Sequence, residues 1–138
     1  MTGPLLVLCV DGESEILLGR RLVLSIAGYE VLTASCAKDA LEVFRQSPID
    51  VVVVDQLLPD MLGARLIRKL KRLKPEVAIV LLTRSPDLPP AGSEAADLLM
   101  SRDSYPTEFL AAITRLVGNR CDLVNSEATG TSKLSRAV

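Results

Sequence analysis

The sequence predicts an α/β fold in which a parallel sheet lies between two layers of helices. Short apolar runs alternate with helix-period stripes along the chain. Three of the runs, residues 5–10, 51–54 and 77–83, are continuously apolar and rich in β-branched residues, as parallel strands covered on both faces should be. Each of these three meets a polar, chemically capable residue at its end: Asp11, Asp55 and Thr83.

The elements follow in order. Residues 5–10 form the first strand, and Ile16, Val23, Leu24 and Ala27 recur at helical spacing behind it, with Gly28 as the stop. Residues 30–34 form the second strand. Ala37, Ala40, Leu41 and Phe44 mark a second helix, ended before Pro48. After the third strand, Leu62, Leu66, Leu70 and Leu73 mark a third helix, ended before Pro75. The stretch RSPDLPPAGSEAAD after the fourth strand carries Pro86, Pro89 and Pro90. A proline inside a helix costs ~3 kcal/mol, so a fourth helix is expected to be short or irregular, over residues 91–96. Residues 98–100 form the fifth strand. Phe109, Leu110, Ile113, Leu116 and Val117 mark the last helix, with Pro106 in its first turn. From Gly118 the chain is polar and aperiodic. One domain over residues 1–117 and a flexible tail over 118–138 are expected.

Composition narrows the function. Of 138 residues, 49% are apolar but only 3% aromatic, so the core must be aliphatic. A net charge of −1 gives no bulk electrostatic case for nucleic acid or a membrane surface. No apolar run approaches the ~20 residues of a membrane span, and the start has no signal-peptide pattern. Cys9, Cys36 and Cys121 lie far apart without a CxxC pair, which suits reduced thiols and a cytoplasmic location. The chain has no histidine, so histidine triads, histidine-bearing zinc sites and phosphohistidine chemistry within it are excluded.

Two surface features stand out. Arg65, Arg68, Lys69, Lys71, Arg72 and Lys74 make the third helix basic; without interleaved aromatics, this reads as a solvated face. Leu18, Leu22 and Ile26 form a second apolar stripe on the first helix, a candidate partner or homodimer surface.

In doubly wound sheets the functional site lies beyond the carboxyl ends of the strands, where strand order reverses. Asp11, Asp55 and Thr83 fall there. Two close carboxylates repel, and one holds a proton unless a cation lies between them. Mg²⁺ suits such a pair, an aspartate is a competent nucleophile towards phosphoryl groups, and a hydroxyl with a neighbouring cation stabilises the oxygens of the transferred group.

Over roughly residues 5–117 the chain resembles the receiver domain of two-component response regulators. The resemblance rests on VDGESEIL after the first strand, then AGYEVLTAS, DVVVVDQLLPDMLG, IVLLT and PTEFLAAI. Its most specific element is the D-x-x-x-P-x-x-x-G run from Asp55 through Pro59 to Gly63. The resemblance implies a flavodoxin-like, doubly wound five-stranded sheet in the order 2-1-3-4-5. It also implies Asp55 as phosphoacceptor, Asp11 and Asp55 as metal-site residues, Leu57 as a backbone metal ligand, Thr83 as the phosphate-sensing hydroxyl, and Arg102 in the place of a family lysine. Mg²⁺ is the implied cofactor. A histidine kinase or phosphotransfer protein is the implied donor and a downstream protein the readout, in a signalling module rather than an enzyme.

The departures from the family pattern are specific. Gly12 stands where a second acidic residue is usual, leaving Glu13 to reach across and metal affinity expected to be weak. Asp103 follows Arg102 where a proline is typical, Arg84 stands where a small residue follows the threonine, and Leu99 replaces an aromatic on the fifth strand. A pseudo-receiver that keeps the fold without the switch is therefore the alternative. Asp11-Gly12 also suits a hairpin turn, although the stretch after it is helical in pattern. Asp11-Gly12-Glu13-Ser14 with Thr83 is superficially similar to a haloacid-dehalogenase-like phosphatase, but that loop lacks the second aspartate. A flavin or nucleotide binder would want glycines and backbone N–H groups where this first loop carries acid.

Overall fold

The computed structural model describes residues 3–129, and side chains as far as residue 118. Its strands are β1 (Leu6–Val10), β2 (Glu30–Ala34), β3 (Val51–Asp55), β4 (Ala78–Thr83) and β5 (Leu98–Ser101); its helices are α1 (Ser14–Ile26), α2 (Ala37–Gln46), α3 (Gly63–Leu73) and α4 (Pro106–Thr129). The strands form one parallel sheet in the order β2-β1-β3-β4-β5, as expected. Continuous apolar sequence translates into central position: β3 and β4 are buried at every residue and β1 at all but its first, whereas β2 and β5 are half-covered edges.

Alternation along the strands divides the core into two layers. Leu8, Val10, Val52, Val54, Ile79 and Leu81 meet α2 and α3 through Phe44, Leu66, Ile67 and Leu70. Val7, Cys9, Val51, Val53, Val80 and Leu82 meet α1 and α4 through Leu17, Leu24, Phe109, Ile113 and Val117. Truncating a leucine so enclosed costs about 2–5 kcal/mol. Burial pushes the Cys9 thiol up to about 12, so it is an inert core group; Cys36 is also unbridged.

Several expectations shift by one helical position. On α1 the buried pair is Leu17 and Leu24, two turns apart, while Ala27 is the exposed C-cap. Leu18, Leu22 and Ile26 are exposed. Gly28 takes φ +103°; its N–H donates to the Ser25 carbonyl and that of Tyr29 to the Leu24 carbonyl, the paired bonds of a glycine-closed helix end. On α3, Leu62 is the N-cap and Leu73 is exposed, so Leu66, Ile67 and Leu70 make the contact.

The basic face of α3 is not merely solvated. Lys71 Nζ donates to the Val77 carbonyl at 2.7 Å and pairs with Asp97 at 3.0 Å, and Lys74 Nζ donates to the Ile49 carbonyl at 2.5 Å. Both amines fasten the end of α3 to the amino-terminal edge of the sheet.

The proline-rich stretch between β4 and β5 keeps one 3₁₀ turn, Ser93–Ala95. The last helix starts at Pro106, where the Tyr105 N–H donates to Glu108 Oε1 and the Tyr105 carbonyl accepts the Phe109 N–H. It continues through Thr129, so residues 118–129, expected to be aperiodic, are helical backbone. Residues 130–138 of the expected tail lie outside the described residues.

Candidate functional site

Ladder hydrogen bonds persist one residue beyond three strand ends. The Asp11 N–H donates to the Ala34 carbonyl, the Gln56 N–H to Leu82 and the Arg102 N–H to Thr83. Asp11, Asp55 and Arg102 therefore sit on fixed backbone at the carboxyl edge of the sheet, the two acids at the ends of β1 and β3 where the strand order turns and Arg102 just beyond the edge strand β5. Asp11 is 1% exposed, Asp55 2% and Thr83 5%. Such burial is costly for carboxylates unless cations and donors answer them.

The loop after β3 explains the spacing from Asp55 to Gly63. The Gly63 N–H donates to the Gln56 carbonyl, and Gln56 Oε1 accepts the N–H of Ala64, capping α3. A Cβ on Gly63 would collide with the Asp55 carbonyl oxygen and lie 2.9 Å from Gln56 Cα. Only glycine lets the helix begin so close beneath Asp55. Asp60 accepts the N–H groups of Ala37 and Lys38, tying the loop to the start of α2, and these two bonds hold its carboxyl below the usual range. Pro59 packs over the first loop, so that a Cβ on Gly12 would sit 3.2 Å from Pro59 Cδ.

Two guanidinium groups answer the buried acids. Arg20 Nη1 pairs with Asp11 Oδ2 at 2.8 Å. Arg102 Nη1 lies 3.1 Å from Asp55 Oδ1 and 3.2 Å from Oδ2, while its Nη2 lies 3.7 Å from Glu13 and 4.0 Å from Asp11. Leu57 enters as a donor: its N–H reaches Asp55 Oδ2 at 3.1 Å. The Asp11 Oδ1 atom accepts the Glu13 N–H. Burial pushes the Asp55 carboxyl up, and the Asp11 charge adds to it; Arg102, the Leu57 N–H and Arg20 pull the other way without cancelling it.

A cavity of about 300 Å³ opens beside Asp55, lined by Leu57, Thr83, Arg84, Leu88 and Arg102. Thr83 Oγ1 is buried without a hydrogen-bond partner, the one such side-chain atom among the described residues. Arg84, which could have plugged the cavity, is exposed at its rim. Leu99 packs against the α2–α3 layer.

The resemblance to receiver domains implies Mg²⁺, and the donor set here fits it poorly. Among the described residues no group of three or more metal-binding side chains gathers. Position 12 offers no carboxylate, Glu13 is 66% exposed and turned to Arg102, and both acids already hold arginines. The residues present, as arranged, make a poor Mg²⁺ site.

A five-stranded parallel sheet in the order β2-β1-β3-β4-β5, with a buried carboxylate at its switch point and an unpartnered hydroxyl and an arginine lining the same cavity, defines the receiver class of α/β domain. The chain belongs to the response regulator receiver domain family, whose model matches residues 7–101. It is 37% identical over 114 residues to the transcriptional regulatory protein KdpE of Mycobacterium tuberculosis, covering 81% of this chain and 50% of that protein. The chain thus spans about half the length of the curated relatives it matches. A receiver domain from Clostridium thermocellum superposes with TM-score 0.76 at 31% identity, over 87% of this chain and 98% of the other. TrrA from Thermotoga maritima, solved in complex with Mg²⁺ and beryllium fluoride, gives 0.75 at 26%, over 81% and 98%. Domains of this family work with histidine kinases and downstream effectors. Among the described residues no helix is long and apolar enough to cross a membrane.

The structure brings Asp11, Asp55, Glu13, Leu57, Thr83 and Arg102 to one edge. Arg20, Gln56 and Asp60 also belong to the site, although the sequence alone does not single them out. Arg20 gave no signal, because only the angular position of α1 tells it from Arg21; Gln56 and Asp60 flank Asp55 and Pro59 in the quoted run and could have been suspected as caps.

Proposed function

We propose that the chain receives a phosphoryl group on Asp55 in a phosphorelay and signals by protein–protein contact. The supporting observation is the cavity in which Asp55 meets the unpartnered Thr83 hydroxyl and Arg102. With no histidine in the chain, the donor is external: a phosphohistidine on a kinase or phosphotransfer protein. An Asp55 oxygen bonds to phosphorus as the P–N bond breaks, and the imidazole leaves with the electron pair and takes a proton from solvent. Thr83 Oγ–H then donates to a phosphoryl oxygen, ending its isolation, and Arg102 balances the added charge. That TrrA was solved in complex with Mg²⁺ and beryllium fluoride, a phosphoryl mimic, supports a phosphoryl-binding reading of the pocket.

Mg²⁺, the family's cofactor, is expected to bind weakly at Asp11, Asp55 and the Leu57 carbonyl. The exposed stripe Leu18, Leu22 and Ile26 on α1 suits a downstream partner or a second copy. A cytoplasmic setting and no catalytic turnover of its own complete this reading. One observation favours a pseudo-receiver instead: the grip of Arg102 on both Asp55 oxygens holds the acceptor in an ion pair. Acetyl phosphate labelling followed by peptide mass spectrometry separates the two. Label on the Asp55 peptide, absent from Asp55→Ala, is expected; equal label in that variant removes Asp55 as acceptor.

A further inference from the structure

The geometry points to Arg20 and Arg102 as built-in cations that take over charge neutralisation from a divalent ion, making the acidic pocket independent of Mg²⁺. The inference deepens the phosphoryl-acceptor reading, since it concerns the same pocket, but its physical basis is separate. Asp11 holds the N–H of Glu13 on one oxygen and Arg20 on the other at 2.8 Å. Asp55 has Arg102 within 3.2 Å of both oxygens. The second nitrogen of Arg102 leans towards Asp11 at 4.0 Å, so one guanidinium spans the gap between the two acids. Gly12 removes the side chain that would otherwise add a negative charge, and Pro59 closes over it. The two buried carboxylates thus face two guanidinium groups, with Glu13 at the exposed rim of the same cluster, and a divalent ion entering the pocket would have to displace fixed, partly buried ion pairs. Arg102 borders the cavity and would touch a transferred group. Arg20 acts through Asp11, as a positioning residue.

The test is a calorimetric titration of Mg²⁺ into wild-type protein, Arg20→Ala and Arg20→Lys, with circular dichroism to check folding. Wild type is expected to bind Mg²⁺ only at high concentration. Removing Arg20 leaves Asp11 uncompensated and should tighten Mg²⁺ binding by about tenfold or more, whereas Arg20→Lys, which restores a cation, should stay close to wild type. In parallel, beryllium fluoride should perturb the wild-type Asp55 amide equally with Mg²⁺ and with excess chelator. Tight Mg²⁺ binding by wild type, or a beryllium fluoride response that chelator abolishes, overturns the inference whether or not Arg20→Ala folds. Should beryllium fluoride fail to bind under every condition while the Mg²⁺ affinities follow the expected order, Asp55 is not an acceptor and the arginine cations stand.

Discussion

Arg102 grips both oxygens of Asp55 with one nitrogen, at 3.1 and 3.2 Å, from a backbone position pinned to Thr83. That nitrogen is the positive charge paired with the Asp55 carboxylate. Arg102→Ala should therefore destabilise the fold by about 1–3 kcal/mol, less than a fully enclosed pair because the arginine is partly exposed. Urea unfolding at neutral pH reads this directly. Arg102→Lys should recover part of the loss, since an ammonium keeps the charge but not the planar fork.

The raised pKa of Asp55 sets a pH dependence. A carboxyl whose folded pKa lies above its unfolded value adds stability below the unfolded value, and loses it as pH rises through the folded one. At neutral pH the ionised group thus works against folding. Asp55→Asn should melt above wild type at pH 7, with the gap narrowing as pH falls through the acid range. Thermal melts across that range check the sign; a gap that widens in acid contradicts it.

Thr83→Val exchanges an unsatisfied hydroxyl for a methyl group of similar size. Because Thr83 Oγ1 is buried without a partner, the resting protein should gain about 1 kcal/mol in chemical unfolding. The same variant should lose most of its structural response to beryllium fluoride. A loss of stability instead would mean that the hydroxyl already has a partner in solution.

Gly63→Ala tests the spacing of the loop. The added Cβ meets backbone of Asp55 and Gln56 rather than a movable side chain, so the start of α3 must shift. A destabilisation of about 1–3 kcal/mol is expected, with amide shifts centred on residues 55–57.

The sheet and the positions of its acids were legible because a continuous β-branched run has one comfortable place, the middle of a parallel sheet. Val51–Asp55 and Ala78–Thr83 took that place, and Asp55 and Thr83 came with them. The facing of helices was less legible. Leu17 and Arg20 on α1, Lys71 on α3 and Lys74 at its C-cap owe their roles to rotation about the helix axis and to neighbouring chain ends, neither of which periodicity fixes to within one residue. Helix α4 outran its apolar stripe, for a stripe reports contact with a core and is silent about helix continuing beyond it.

The most direct measurement is the backbone amide NMR spectrum of the wild-type protein titrated with beryllium fluoride. Shifts should begin at Asp55, Thr83 and Arg102, extend into residues 84–90, and vanish in Asp55→Asn. A spectrum unmoved by saturating beryllium fluoride, or shifts that survive in that variant, would contradict Asp55 as the phosphoryl acceptor.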